Sequence, residues 1–583
     1  MTRFKVLLAT LSLSVLAACA SPQGPAPTLR GAVDPDFPYA DTRSTYGQFL
    51  AGQAALRSGH TRDATGFFES ARVLGGDDVD MAVRERAFTA ALLAGDVEAA
   101  ARMAPREADA NEAVRRLGAL TRVVNLMAEG KGVEARQVIK AETIGFPHRQ
   151  ATALLEPWIA AQVGDQTGAT AQPSLQGDRL VQYFGQLGRA RLLERAKRFE
   201  EAETDYKLLT GVSAARGLFT LDYGEFLERR RRRSAEAVAL YDTALVQSPG
   251  DTALVRARAR ASARRSPPPV VTLRQGAAQV LVATAASFMN ERQSQFGLAY
   301  LRLALRLDPK RDDAWLLVGD VLAQGGDVEA AREAYGKLPP GSPRYVAAQG
   351  KLAWSLQSQG DKVAAVALAQ RIAAAAPADR DAQLTYADLL RADERWTESA
   401  AVLDPLIAAA AAAGAPDWRL LYMRGVALER AGRWPEAERD LKAALIASPD
   451  EPELLNYLGY SWVDRGENLA EALQMVQRAV AARPESGAML DSLGWAHYRL
   501  GDYKAALENL EKAVELEPGD PDVNDHLGDV FWRLGRKDEA RFQWTRVLSL
   551  EPTATQKVLV ETKLKTGLGP AGPAVATTVA TIP

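Results

Sequence analysis

Histidines, cysteines and paired carboxylates are the residues from which most active sites are built, and this chain is poor in the first two. Four histidines (His60, His148, His497 and His526) and a single cysteine (Cys19) occur in 583 residues. No His, Cys or Asp spacing matches a metal site. Gly130-Lys131-Gly132 lacks the long loop of a phosphate cradle and reads as a turn between two helices. Gly459-Tyr460-Ser461-Trp462-Val463 lacks the second glycine of a nucleophile elbow. Carboxylates are plentiful, but nothing pairs two of them against an apolar pocket, as general acid–base catalysis requires. The expectation is a non-enzyme without metal or cofactor, which leaves binding, carried by aromatics interleaved with carboxylates in the last third of the chain.

Those residues ride on a repeat between Trp418 and Pro552. A first glycine recurs as Gly425, Gly459, Gly494 and Gly528, at spacings of 34, 35 and 34 residues. A second follows each as Gly432, Gly466, Gly501 and Gly535, then an alanine (Ala437, Ala472, Ala506, Ala540) and a closing proline (Pro449, Pro484, Pro518, Pro552). The first glycine has no side chain and lets one helix lie close to the next. The second suits a left-handed turn, where glycine costs least. Ala506, Leu510, Ala513 and Leu516 recur at helical spacing as the buried face of a second helix, which Pro518 ends because it lacks an N–H.

A 34-residue period with this punctuation resembles the tetratricopeptide repeat, a helix–turn–helix unit. The resemblance implies an all-α, right-handed superhelical solenoid, here of about twelve to fourteen repeats. It also implies that five positions of each first helix point into a protein-binding groove: Tyr422, Asn456, Tyr460, Asp491, Trp495, Tyr498, Arg499, Asp525, Asp529, Trp532 and Arg533. Five of these are aromatics that the repeat core does not need. With the carboxylates they would suit an extended or helical segment, basic or apolar. The competing expectation is that the aromatics pack between adjacent first helices. A carboxylate clamp of the chaperone-binding type is excluded, because its fifth and ninth positions hold Tyr422 and Val426, Asn456 and Tyr460, Asp491 and Trp495, and Asp525 and Asp529.

The start of the chain reads as an address. Arg3 and Lys5 precede an apolar run, Val6 to Leu16, too short to span a bilayer, and residues 1–18 are expected to be a signal peptide. Leu16-Ala17-Ala18-Cys19 resembles a bacterial lipobox, which implies lipidation of Cys19 and attachment to the membrane. A chain with no other thiol suits an oxidising periplasm. Ala20 after the cysteine, by similarity to enteric lipoproteins, implies the outer membrane, with the protein facing the periplasm. That address and a formal net charge of −2 argue against nucleic acid. Residues 19–43 form a proline-rich linker with a reach of ~70 Å if extended.

Residues 44–266 hold weaker repeats, and the register is lost between Pro147 and Gln186. Five arginines, Arg229 to Arg233, stand where a first helix would end. They read either as a solvated cluster offsetting the helix C-terminus or as a patch for an acidic partner or phospholipid head groups. Pro267-Pro268-Pro269 is expected to separate this array from a second one, residues 270–553. Residues 554–583 read as a capping helix and a disordered tail.

The runs Asn456-Tyr457-Leu458-Gly459-Tyr460, Asp491-Ser492-Leu493-Gly494-Trp495 and His526-Leu527-Gly528-Asp529-Val530-Phe531-Trp532 resemble the C-terminal part of long bacterial tetratricopeptide lipoproteins of the outer membrane. One member of that group is the lipoprotein partner of a carboxyl-terminal processing protease that degrades cell-wall hydrolases. The resemblance implies a tethered adaptor that raises the effective concentration of protease and substrate. The alternative expectation is a structural part of outer-membrane protein assembly or polysaccharide export.

Overall fold

The computed structural model describes residues 44–569, apart from 58–59, 77–79, 143, 173–174, 176, 213–215, 249 and 292. The expected signal peptide, Cys19, all of the linker and most of the tail lie outside the described residues. Every regular element among the described residues is an α-helix, and none is long and apolar enough to cross a membrane. The chain divides into two compact units, Met1–Asp361 and Lys362–Pro583.

Unit 1 holds α1 (Thr45–Arg57), α2 (Thr61–Gly75), α3 (Met81–Ala94), α4 (Val97–Met103), α5 (Glu112–Ala128), α6 (Gly132–Ala141), α7 (Arg149–Gln162), α8 (Gln166–Thr170), α9 (Arg179–Arg195), α10 (Phe199–Gly211), α11 (Arg216–Glu228), α12 (Ser234–Gln247), α13 (Thr252–Ser262), α14 (Leu273–Asn290), α15 (Ser294–Leu307), α16 (Asp312–Gln324), α17 (Val328–Gly336) and α18 (Tyr345–Ser358). Unit 2 holds α19 (Lys362–Ala375), α20 (Arg380–Ala392), α21 (Trp396–Ala412), α22 (Trp418–Arg430), α23 (Trp434–Ala447), α24 (Pro452–Arg465), α25 (Leu469–Ala482), α26 (Gly487–Arg499), α27 (Tyr503–Leu516), α28 (Pro521–Arg533), α29 (Lys537–Leu548) and α30 (Ala554–Thr566).

Local chemistry sets the helix ends. Aspartates cap many N-termini; Asp96, Asp178, Asp327, Asp379 and Asp502 each accept a hydrogen bond from a backbone N–H of the first turn. Many of the turns within pairs close on left-handed glycines, as at Gly501 (φ 84°). In unit 2 the first glycines of the repeat are contact points. A Cβ on Gly494 would lie 2.5 Å from Leu510, and one on Gly528 2.5 Å from Trp544. Second helices α23, α25, α27 and α29 thus seat on the backbone of the helix before them.

Unit 1 departs from a plain succession of pairs. After α13 the chain runs through Pro267-Pro268-Pro269 without a second helix, and α14 then packs on α7 and α9 while α15 packs on α3 and α5. α14 is apolar almost all round, as a helix buried on every side must be, and α15 is apolar apart from a polar edge that carries Arg302 and Arg306. Ala277, Leu281, Ala285, Leu301, Leu303 and Ala304 are all fully buried. Gly276 sits against the Trp158 indole, where a Cβ would come within 2.0 Å of the ring. His148 shares a 2.7 Å hydrogen bond with the Tyr300 hydroxyl. At the rim Arg302 donates to the Leu93 carbonyl at the end of α3 (3.0 Å) and Arg306 to the Asn125 side chain on α5 (2.9 Å). Arg191 of α9 bonds both Gln279 of α14 and Asp222 of α11. The prolines expected to separate two repeat arrays therefore lie within unit 1, and the boundary between units follows Asp361.

Candidate functional site

The residues expected to form a groove lie on α22, α24, α26 and α28, the first helices of four consecutive pairs. α24 packs on α26 and α26 on α28, so one face of these helices forms a continuous row. Tyr422 meets Tyr457 edge-on, with ring centroids 5.5 Å apart. Tyr460 is half-buried, and its hydroxyl is held in the neutral form first by burial and then by the carboxylates of Asp491, Asp464 and Asp522. Asp464 and Asp522 are exposed. The Asn456 side-chain carbonyl is buried and accepts no hydrogen bond among the described residues.

Trp495 is the centre of a stack. Its indole lies 4.0 Å from the His526 ring on one side and 4.6 Å from Tyr498 on the other, nearly parallel to both. Its Nε1–H is buried and has no acceptor among the described residues. His526 Nδ1 contacts both oxygens of the buried Asp491, at 2.9 and 3.1 Å. Burial works against a charge on His526, but Asp491, Asp525 and Asp529 outweigh it and push the imidazole up to about 9. At neutral pH a cation therefore lies on the Trp495 face, a favourable arrangement.

The last repeat is closed by the chain's own C-terminal segment. Lys563 of α30 bridges Asp525 and Asp529, at 2.8 Å each, and Asp529 also accepts from Trp544 Nε1. Trp532 packs on Trp544 and lies directly under Gly567. Arg533 donates to the Tyr498 hydroxyl and to the Gly569 carbonyl. Arg499 reaches back to the Asp464 carbonyl at 2.7 Å. The structure thus brings Asn456, Tyr460, Asp491, Trp495 and Tyr498 together on α24 and α26, and uses Asp525, Asp529, Trp532 and Arg533 to hold α30 and residues 567–569.

His526, Asp464 and Asp522 are members of this row that the repeat positions did not single out. His526 stands 35 residues after Asp491, one repeat further and one residue on, which places the two on adjoining first helices. That spacing was a usable signal. Among the described residues no group of three His, Cys, Asp or Glu is placed to hold a metal ion.

Stacked helix pairs with glycine turns and a shared first-helix face define an all-α repeat protein. A sequence model of the tetratricopeptide repeat matches residues 187–252, 283–344, 405–452, 422–487 and 492–549. These segments carry tetratricopeptide repeats, which serve as scaffolds for protein–protein interaction. A TPR repeat-containing protein of Pseudomonas aeruginosa is 36% identical over 85 residues, 15% of this chain and 14% of that protein's length. Among solved structures, the APC/C Cut9–Hcn1 hetero-tetramer aligns over 90% of this chain and 96% of its own, with 15% identity and a TM-score of 0.36. A tetratricopeptide repeat protein of Parabacteroides merdae aligns over 49% of this chain and 97% of its own, with 13% identity and a TM-score of 0.34.

Proposed function

We propose that the protein is a lipid-anchored adaptor on the periplasmic side of the outer membrane, tethered through Cys19, that holds a processing protease and its cell-wall hydrolase substrates on the first-helix row of unit 2. It does no chemistry itself. The observation that carries the reading is the row of half-buried rings, Tyr460, Trp495 and Tyr498, on the adjoining first helices α24 and α26. Exposed Asp464 and Asp522 beside Tyr460 favour a segment carrying lysine or arginine.

The test is capture from periplasmic extract on the immobilised mature chain, repeated with Asn456→Leu and Asp464→Lys/Asp522→Lys. Enrichment of a protease and cell-wall hydrolases that these variants abolish supports the adaptor. Enrichment of outer-membrane assembly or polysaccharide-export components instead replaces it with the structural role.

A further inference from the structure

Within unit 1 the left-handed turn position is glycine at Gly95, Gly130 and Gly164, and again at Gly326 and Gly360. Three turns in between break this rule. They hold Lys197 (φ 62°), Arg232 (φ 66°) and Arg264 (φ 50°), at the ends of α9, α11 and α13. Long cationic side chains thus occupy backbone positions that L-residues adopt reluctantly.

The three turns adjoin one another. Arg229 donates to Glu194 at 2.8 Å, tying the end of α11 to the end of α9, and Arg260 donates to Glu228 at 2.7 Å, tying the end of α13 to that of α11. Arg233 is matched by Glu203 and Glu236. These inner arginines use up the local carboxylates. Lys197, Arg231, Arg232, Arg264 and Arg265 are exposed, and none has a carboxylate within ion-pair distance among the described residues. The run Arg229–Arg233 is therefore two things at once: an inward part that joins helices and an outward part with unmatched charge. Beside it Phe199 is 36% exposed beneath the Arg230 guanidinium, 3.7 Å from the ring centroid.

We infer that this edge docks on anionic phospholipid headgroups. A protein interface is built on a buried apolar centre, whereas this edge offers five flexible cations and one ring at its rim. An anionic lipid surface rewards that composition, because closely spaced Lys and Arg add attraction without shape complementarity. The surface acts independently of any acyl group on Cys19.

The experiment uses the chain from residue 19 with Cys19→Ser, which keeps every described residue and accepts no lipid. It is sedimented with phosphatidylcholine vesicles that contain or lack phosphatidylglycerol. Binding is expected only with phosphatidylglycerol and should weaken steeply with salt. The triple variant Lys197→Gly/Arg232→Gly/Arg264→Gly installs the residue used at the neighbouring turns, so its unfolding temperature should hold or rise. Its affinity for the anionic vesicles should drop by about tenfold or more. Equal sedimentation with neutral vesicles, or unchanged affinity of the triple variant, overturns the inference. Binding to poly-glutamate without binding to anionic vesicles also overturns it and assigns the edge to an acidic protein.

Discussion

In unit 1 the first helices α3, α5, α7 and α9 are covered by α14 and α15 of the same chain, whereas in unit 2 the first helices α22, α24 and α26 pack chiefly on their repeat neighbours among the described residues. The same helix pair therefore serves two ends. A first-helix face lined by small and aliphatic residues, such as Ala91, Leu120, Val124 and Leu155, is worth covering with an apolar hairpin. A face carrying Tyr460, Asp464, Asp491 and Trp495 would strand polar groups under such a hairpin, at a cost that disfavours covering it in that way. Side-chain chemistry on one helix face, with the fold of the pair held constant, thus separates a core from the face proposed as a docking surface.

The contrast breaks most sharply at Tyr300. It is fully buried between His148 and Phe288, so Tyr300→Ala should cost unit 1 about 3–5 kcal/mol, as for other large aromatic truncations. Calorimetry should show a lowered transition for unit 1 with that of unit 2 unchanged. A change below ~0.5 kcal/mol would mean that α15 does not fill the face. In unit 2, Trp495→Ala removes a half-buried ring together with its orphan N–H, and should cost only about 1–2 kcal/mol while abolishing capture of the partner. Loss of helicity comparable to that of Tyr300→Ala would make Trp495 core and erase the distinction.

Acid and base should separate the units as well. His526 titrates higher in the fold than its ordinary value near 6.5, so its contribution to unit 2 is complete below about pH 6.5 and lost as pH rises through about 9. His148 is the reverse. Burial, helped by Arg116, pushes it down to about 4, so its contribution to unit 1 is complete above about pH 6.5 and lost as pH falls toward 4. Unfolding temperatures followed from pH 4 to 10 should fall first for unit 1 on the acid side and for unit 2 on the alkaline side. His526→Gln should flatten the alkaline limb and leave the acid limb unchanged.

The smallest difference concerns the turns. Gly501→Ala should cost unit 2 about 1 kcal/mol, because a Cβ there must adopt φ 84°. Arg232→Gly should stabilise unit 1 by a few tenths of a kcal/mol up to about 1. Opposite signs in denaturant midpoints would confirm that the arginine is kept at its turn against backbone preference.

The repeat in unit 2 could be read residue by residue. Gly494 and Gly528 foretold close helix contact, Gly501 and Gly535 foretold left-handed turns, and Pro518 foretold a helix end, because each of these effects is local to a few residues. The candidate site was half legible. Position within the repeat placed Tyr460, Asp491 and Trp495 on one row, and residues 554–583 were expected to begin with a capping helix, but that the cap would take Asp529, Trp532 and Arg533 was not legible. Those contacts reach across α29 to residues 34 to 36 positions further on, about one repeat, and the spacing alone did not say which side chains of the cap would meet them.

Unit 1 was harder for the same reason. The apolar girth of α14 and α15 lies in Ala277 to Ala285 and, broken by Arg302 and Arg306, in Leu298 to Leu307. Its partners were not visible, since Trp158 and Gly276 are 118 residues apart and fit only once four helix pairs have stacked. By itself the sequence determined the helices, their turns and the period, all of which follow from spacing and backbone preference. Only the tertiary structure decided which first-helix face is filled and which is left open, and which arginines of the Arg229–Arg233 run face inward. Those outcomes depend on long-range packing and on whether a carboxylate from another helix arrives to meet the charge.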